Sequence, residues 1–166
     1  MKYINFSTKY IVKLLDTKDL KDIYNLCVLN ETYYKYCPPS PSTESIKKDM
    51  EALPPNKSLE DKYFLGYYEN DRLLAVMDLI DKYPNDKTAF IGFFITDINY
   101  QNKGIGTFII NELTNYLKNN GYHNIRLGYV MGNIQSESFW KKMGFIDTGF
   151  RNYTDFYEVI IMNKEI

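Results

Sequence analysis

The sequence predicts a single α/β domain of the mixed α+β kind, in which a central, mostly antiparallel mixed sheet carries helices on both faces. Three observations predict this fold. An amphipathic helix joins two apolar strands at 88–96 and 125–130, which makes a right-handed parallel crossover. Two further strands flank a turn at Asn70-Asp71 and form a hairpin. The length of 166 residues suits one hydrophobic core, so residues 1–166 are expected to form one domain.

The first third of the chain predicts one strand and two helices. Residues 10–15 form the strand, and a helix begins at Thr17. The apolar side chains of that helix recur at helical spacing, at Leu20, Ile23, Tyr24 and Cys27. A proline-rich loop at 37–41 ends this helix. The second helix is capped by Ser42 and ends at the proline pair 54–55.

The remaining two thirds of the chain alternate strands and helices. The predicted strands are 63–69, 72–81, 88–96, 125–130, 145–150 and 156–162. The predicted helices are 104–120 and 135–143. Gly121 suits the residue that follows the longer helix. The complete predicted order is β-α-α-β-β-β-α-β-α-β-β.

Composition and charge exclude several classes of function. The formal net charge is -1 and the isoelectric point is about 5.9, which does not suit a protein that grips a phosphate backbone. The N-terminus has no apolar run of signal-peptide length, and no segment approaches the roughly 18 apolar residues of a membrane span. The sequence therefore predicts a cytoplasmic protein that binds neither nucleic acid nor membrane.

The cysteines and the single histidine do not form a reactive or metal-binding set. Cys27 and Cys37 form no CxxC pair, and without a secretion signal we expect reduced thiols. His123 follows a glycine and is expected in a connector between a helix and a strand. One histidine and two scattered cysteines do not make a ligand cluster, so no metal is expected.

The segment 101–107, with the sequence QNKGIGT, is the most informative in the chain. It lies between a buried strand and the start of a long helix. Gly104 and Gly106 remove side chains where backbone must approach a ligand, and the free N–H groups of a helix start bind pyrophosphate. No Lys-Ser or Lys-Thr pair follows Gly106, which excludes a P-loop. Ile109 stands where a dinucleotide fingerprint needs its third glycine.

Two motifs resemble those of the GNAT superfamily of N-acetyltransferases. Gln101-x-x-Gly104-x-Gly106 resembles motif A, and residues 133–145 resemble motif B. The predicted order of elements is also similar to the superfamily fold. This resemblance implies direct acetyl transfer from acetyl-coenzyme A to a primary amine in a ternary complex.

The resemblance also implies which residues hold acetyl-coenzyme A. The pyrophosphate would lie on the backbone amides of Gln101, Asn102, Lys103, Gly104, Ile105, Gly106 and Thr107. The pantetheine arm would pair with Phe94 and Ile95 on the preceding strand. Asn133 would hydrogen-bond the arm, and Phe139 and Trp140 would wall its far side. Lys142 would add positive charge near the phosphates, with a solvated helix lysine as the alternative.

The proton-transfer groups are less well defined. Many members of the superfamily have a tyrosine general acid where this chain has Trp140, and an indole N–H cannot act as an acid at neutral pH. Tyr129 is a candidate substitute. Candidates for the base that deprotonates the amine are Asp78 and Asp97, with Asp81 as a further acid on the third predicted strand. The sequence does not choose among them.

The acceptor and the biological role are open at this point. The acceptor is a small-molecule amine or a protein amine, and Tyr33, Tyr34 and Tyr36 either line its pocket or pack at a helix end. A non-catalytic sensor of acyl-coenzyme A is the alternative to an enzyme, because Trp140 departs from the pattern. A homodimer is also left open.

Overall fold

A computed structural model describes all 166 residues of the chain. The strands are β1 (Ile11–Leu14), β2 (Lys62–Glu69), β3 (Arg72–Ile80), β4 (Thr88–Thr96), β5 (Asn124–Val130), β6 (Ile146–Tyr153) and β7 (Glu158–Glu165). The helices are α1 (Leu20–Val28), α2 (Glu31–Tyr36), α3 (Thr43–Glu51), α4 (Ile105–Asn119) and α5 (Ile134–Lys142). The seven strands form one sheet in the order β1-β2-β3-β4-β5-β7-β6.

The sheet is antiparallel except between β4 and β5, which are parallel. The β4–β5 pairing begins at Thr88 and Asn124 and stops at Ile91 and Leu127. The second halves of these two strands therefore diverge and leave a gap in the middle of the sheet. Residues 93–96 of β4 keep β3 as a partner on one edge and have no strand partner on the other.

Each face of the sheet is covered by its own apolar cluster. The larger cluster packs α4 against the sheet through Ile105, Ile109, Ile110, Leu113 and Leu117, whose spacing places them on one side of the helix. The smaller cluster packs α1 and α3 on the opposite face, over residues of β2, β3 and β4. A mostly antiparallel mixed sheet with helices on both faces confirms the predicted fold class.

The structure differs from the predicted order in one helix. The first predicted helix breaks after Val28, and α2 begins again at Glu31. Asn30 causes the break, because its backbone leaves helical geometry (φ -91°, ψ 56°). Its buried side chain donates hydrogen bonds to the carbonyl oxygens of Leu26 (2.9 Å) and Thr96 (3.2 Å). These bonds join α1 to the end of β4.

The last strands are longer than the sequence predicts. β6 extends three residues beyond 150 and β7 three residues beyond 162. Gly149 has φ +82° and lies where the β6–β7 register shifts between Asp147 and Arg151. The glycine therefore marks a bulge inside β6 rather than the end of a strand.

Candidate active site

The start of α4 is a set of backbone donors that the protein itself does not use. The N–H groups of residues 102–107 make no hydrogen bond within the chain, and the helix has no side-chain cap. The first partnered N–H belongs to Phe108, which donates to the Gly104 carbonyl at 2.9 Å. Gly104 has φ +82° and Asn102 φ +59°, a left-handed geometry that suits glycine and is tolerated by asparagine. Unpartnered N–H groups at a helix start form an anion site.

The side chain of Gln101 anchors this loop. Its amide nitrogen donates to Oδ1 of Asn30 at 2.7 Å and to the Thr96 carbonyl at 3.4 Å. Its amide oxygen accepts from Nε2 of Gln135 at 3.1 Å. The side chain thus ties the loop to α1, to β4 and to α5, while the backbone amides after it stay free.

Aromatic rings form one wall beside the loop. Phe139 and Trp140 have ring centroids 4.8 Å apart, and Phe139 stacks on Phe94 at 6.2 Å. Trp140 also meets Phe145 at 5.2 Å and is only 6% exposed. Its indole N–H makes no hydrogen bond within the protein. The wall therefore brings together α5 and the second half of β4.

These features enclose a cleft of about 540 Å³. The predicted cofactor residues that line it are Phe94, Ile95, Gln101, Asn102, Gly104, Ile105, Gly106, Thr107, Asn133, Phe139, Trp140 and Lys142. Lys103 does not line it, because its ammonium lies over the Tyr100 ring, 4.8 Å from the centroid. The binding roles of these residues stay predictions.

Tyr33, a candidate for the acceptor pocket, also lines the cleft, with six residues to which no role was assigned from the sequence: Asn30, Thr96, Tyr100, Gln135, Ser136 and Ser138. Three of them, at 135, 136 and 138, lie inside the segment that resembles motif B, so the sequence held a signal for them. Asn30 and Tyr33 come from the distant α1–α2 region, and only the tertiary fold brings them to the cleft. Tyr33 packs edge-on against Phe93 at 5.6 Å.

The candidate proton-transfer residues Tyr129, Asp78, Asp97 and Asp81 all lie outside the cleft lining. Asp97 caps the turn Ile98–Tyr100 through its Oδ1 and accepts from the Arg72 guanidinium through its Oδ2 at 2.8 Å. Burial opposes the charged form, but the Asn99 and Arg72 donors outweigh it and lower the pKa of Asp97. Both carboxylate oxygens thus have structural partners.

Tyr129 lies on the face of β5 that joins the larger apolar cluster. Its hydroxyl makes no hydrogen bond within the protein. Burial, and then the nearby Glu137, raise its pKa above the ordinary tyrosine value. The phenol therefore stays protonated at neutral pH.

Asp78 lies on the opposite face, next to the diverging strands. Its Oδ2 accepts from the Lys62 ammonium at 2.7 Å, while its Oδ1 is buried and has no hydrogen-bond partner. Burial raises the pKa of Asp78, the Lys62 ammonium opposes this, and Asp49 on α3 adds to it. A Cβ at Gly92 would lie 2.7 Å from Oδ2, so the glycine makes room for the carboxylate.

No group of three histidine, cysteine or acidic side chains in the structure could hold a metal ion. Both cysteines are free thiols, and burial raises the pKa of Cys27 to about 11. Every helix falls short of the length and hydropathy needed to cross a membrane.

A free helix start beside a diverging pair of parallel strands offers backbone donors that suit a phosphate-bearing ligand. The sequence profile of the "Acetyltransferase (GNAT) family" matches residues 23–145. The chain therefore belongs to the GNAT family of acyl-coenzyme A-dependent acetyltransferases, for which acetyl-coenzyme A is the donor. No curated protein matches the sequence closely.

Solved structures share the fold at low sequence identity. An acetyltransferase from Thermus thermophilus has a TM-score of 0.76 at 13% identity, covering 95% of this chain and 97% of that one. The PaiA N-acetyltransferase of Thermoplasma acidophilum, in complex with coenzyme A, has a TM-score of 0.68 at 20% identity, and the match covers 95% of this chain and 99% of that one. A spermidine N-acetyltransferase SpeG chimera of Vibrio cholerae and hSSAT has a TM-score of 0.68 at 19% identity, and the match covers 95% of this chain and 96% of that one.

Proposed function

We propose that this protein transfers an acetyl group from acetyl-coenzyme A to a primary amine of a small molecule or a protein, by direct attack in a ternary complex. The run of unpartnered N–H groups at 102–107, beside a cleft with an aromatic wall, supports this most strongly. A pyrophosphate satisfies such donors and gains from the positive end of the helix dipole. Spermidine, the amine named for one structural neighbour, is an example of a small acceptor.

The rest of the cleft fits the long arm of coenzyme A. The edge of β4 at 92–96 has no strand partner toward β5, so its backbone groups can bond an extended arm as an added strand does. Asn133 uses its side-chain oxygen to accept from the Ser136 N–H at 3.0 Å, which leaves its amide N–H groups for the arm. Phe139 and Trp140 cover the arm on its far side.

The proposed reaction needs no covalent enzyme intermediate and no redox partner. The amine nitrogen forms a bond to the acetyl carbonyl carbon, and the bond from that carbon to sulfur breaks. One proton leaves the amine for a base, and the sulfur departs as a thiolate that is then protonated. The protein contributes mainly by holding the two substrates in reacting geometry.

We propose Asp78 as the base, because one of its carboxylate oxygens is buried without a hydrogen-bond partner, whereas Asp97 uses both of its oxygens. An alkyl amine has a pKa near 10 and is mostly protonated at neutral pH, so a proton acceptor is required. Burial raises the pKa of Asp78 toward the range in which a base works well. Asp97, with both oxygens in use, is assigned to holding the loop that precedes α4.

The thiolate can leave without a full general acid, because a thiol has a pKa of about 8.5. The Trp140 indole makes no hydrogen bond within the protein, and the ring is proposed to pack against the arm rather than to give up its proton. Tyr129 remains the alternative acid, although its raised pKa makes the transfer to a thiolate less favourable.

The Asn133 amide offers a test of cofactor binding. Asn133→Ala should weaken coenzyme A binding by about 1–2 kcal/mol through the lost hydrogen bond. It should also reduce stability by about 1 kcal/mol through the lost helix cap. Asn133→Ser keeps a capping oxygen, so it should lose the same affinity with a melting temperature near that of the wild type. Calorimetry and thermal melts measure both. Wild-type affinity in Asn133→Ser would make the residue a cap only.

Trp140→Phe separates packing from proton transfer. We expect it to keep much of the turnover and to weaken cofactor affinity, because the indole packs against Phe94, Phe139 and Phe145. The single-turnover rate and the cofactor dissociation constant distinguish the two roles, since only an interaction made in the transition state lowers the rate alone. A rate loss beyond roughly a hundredfold at unchanged affinity would assign the indole N–H to the departing sulfur.

An assay of thiol release with a panel of amines tests the proposed function directly. Release above the background of hydrolysis, together with acetylated product, supports the enzyme. Tight binding of acetyl-coenzyme A without release to any amine supports a sensor instead. The cofactor-binding assay is run alongside, so that an inactive preparation is not mistaken for a sensor.

A further inference from the structure

Only two side-chain atoms in the whole chain are buried without a hydrogen-bond partner, Oδ1 of Asp78 and Nε of Arg126. Such atoms are rare in folded proteins, because an unpaired buried polar group costs about 1–3 kcal/mol. One is an anion and the other a cation, and neither is paired to the other. Both atoms belong to strands of the sheet, Asp78 to β3 and Arg126 to β5.

Arg126 differs from the other two arginines of the chain. Arg72 is held by Asp97 at 2.8 Å, and Arg151 by Asp147 at 2.7 Å. The side chain of Arg126 makes no ion pair and no hydrogen bond, although it is half-buried near the middle of the sheet. A guanidinium has five donors in a planar fork and is suited to a carboxylate or a phosphate.

The side chain of Arg126 points away from the cofactor loop. Ile125, Leu127 and Tyr129 of β5 all belong to the apolar cluster under α4. Arg126 alternates with them, so it lies on the opposite face of the sheet. It does not line the cleft at the start of α4. An anion bound by Arg126 is therefore not the pyrophosphate of the cofactor.

Asp78 lies on that same face, across β4 from Arg126. Asp78 pairs with Phe93, and Arg126 pairs with Phe90, so the two residues flank β4 just where β5 diverges from it. Strands two apart in a sheet are separated by about 10 Å. The two residues are also offset along the strands, because their partners Phe93 and Phe90 are three positions apart on β4. A molecule that joins the two groups therefore carries them at its two ends.

The apolar cluster under α1 and α3 does not extend over this part of the sheet face. The apolar cluster under α1 and α3 contains residues of β2, β3 and β4 and none of β5, β6 or β7. Gly92, between the two unpartnered groups, is exposed, and the outward residues of β5 are only half-buried. A ligand on the sheet face between Asp78 and Arg126 would reach the acetyl group through the gap between β4 and β5.

We propose that the acceptor is an amine that also carries an acidic group, a carboxylate or a phosphate, which Arg126 binds while the amine faces Asp78. The inference rests on the proposed function and names the acceptor class for it. Both unpartnered groups gain their missing hydrogen bonds from one such molecule. An amine without an acidic group would leave Arg126 unpaired.

The test compares amines matched in chain length with and without an acidic group. The pairs are β-alanine against propylamine, γ-aminobutyrate against butylamine, and aminoethyl phosphate against ethylamine. The wild type should use the acidic member of at least one pair with a kcat/KM about tenfold higher or more, the scale of a charge-assisted hydrogen bond. Preference for the carboxylate or for the phosphate pairs identifies the acid.

Arg126→Gln should remove this preference by raising KM for the acidic amine about tenfold or more, with coenzyme A affinity unchanged. Arg126→Lys should restore part of it, because the charge returns without the fork. Acidic amines used no better than their matched partners, or an Arg126→Gln enzyme with unchanged KM, would overturn the inference.

A binding measurement distinguishes failure of the proposed function from failure of this inference. If no amine is acetylated, calorimetric titration of the coenzyme A-loaded protein with the same pairs still decides the inference. Binding of an acidic amine to the wild type that Arg126→Gln abolishes supports the site without the reaction. No binding of any acidic amine overturns it.

Discussion

Gly106→Val should abolish binding of acetyl-coenzyme A while the protein remains folded. A Cβ at this position meets the Phe139 ring at 3.3 Å and the Phe94 ring at 3.5 Å, and valine adds two methyl groups beyond it. These two rings form the wall of the cleft, so valine cannot be accommodated without displacing the wall against which the cofactor arm is proposed to lie. Gly106 has ordinary helical geometry, so the substitution strains no backbone torsion.

Calorimetry with acetyl-coenzyme A measures the effect, and circular dichroism checks the fold. Asn111→Val is the matched control, because it places the same residue on an exposed position of α4, away from the cleft. The control should bind like the wild type and report only the small cost of valine in a helix. Binding by Gly106→Val within a few-fold of the wild type would contradict the assignment of this loop.

The two glycines of the loop have different roles, which the sequence alone does not separate. Both were expected to leave room for a ligand. A Cβ at Gly104 would meet nothing within 4 Å, and the requirement there is its φ of +82°. Gly106 is required because the aromatic wall lies against it. The backbone torsion and the distant ring are properties of the folded chain, so the pattern Gly-x-Gly predicts the position but not the reason.

Local patterns predicted the elements that build the cleft. The apolar strand at 88–96, the amphipathic helix at 104–120 and the strand at 125–130 carry their own periodicity, so their order was readable. The gap between β4 and β5 has no local pattern of this kind. Periodicity does not fix how far a pairing runs, which here ends at Ile91 and Leu127.

Long-range polar contacts are the features that the sequence could not supply. Asn30 binds Thr96 and Gln101, residues 66 and 71 positions away, and this contact breaks a helix that local spacing predicts as continuous. Lys62 pairs with Asp78, and Arg72 with Asp97. These pairs distinguish the two candidate bases, because one leaves a carboxylate oxygen unpartnered and the other does not.

Asp78→Asn should lower turnover by about 10²–10⁴-fold, the usual contribution of one general base, with little change in acetyl-coenzyme A affinity. The amide keeps the shape of the side chain but cannot accept the amine proton. The affinity is expected to hold because Asp78 does not line the cofactor cleft. Asp147→Asn is the control: it also removes a carboxylate from an ion pair, at a position that does not line the cleft, and its turnover should stay within a few-fold of the wild type.

Lys62→Met provides a second, independent measurement on the same carboxylate. The Lys62 ammonium on β2 lowers the pKa of Asp78, whereas burial and Asp49 on α3 raise it. Without the ammonium the pKa of Asp78 rises further, so the base stays protonated to a higher pH. The acidic limb of the kcat/KM profile should therefore move to higher pH.

Breaking a buried ion pair costs about 3–5 kcal/mol, so thermal melts of the Asp78→Asn and Lys62→Met variants come first, and activity is measured well below each melting temperature. An Asp78→Asn enzyme within tenfold of wild-type turnover, or a pH profile that Lys62→Met leaves in place, would exclude Asp78 as the base. Either result would return the role to a water molecule or to the acceptor itself, because Asp97 already uses both of its oxygens.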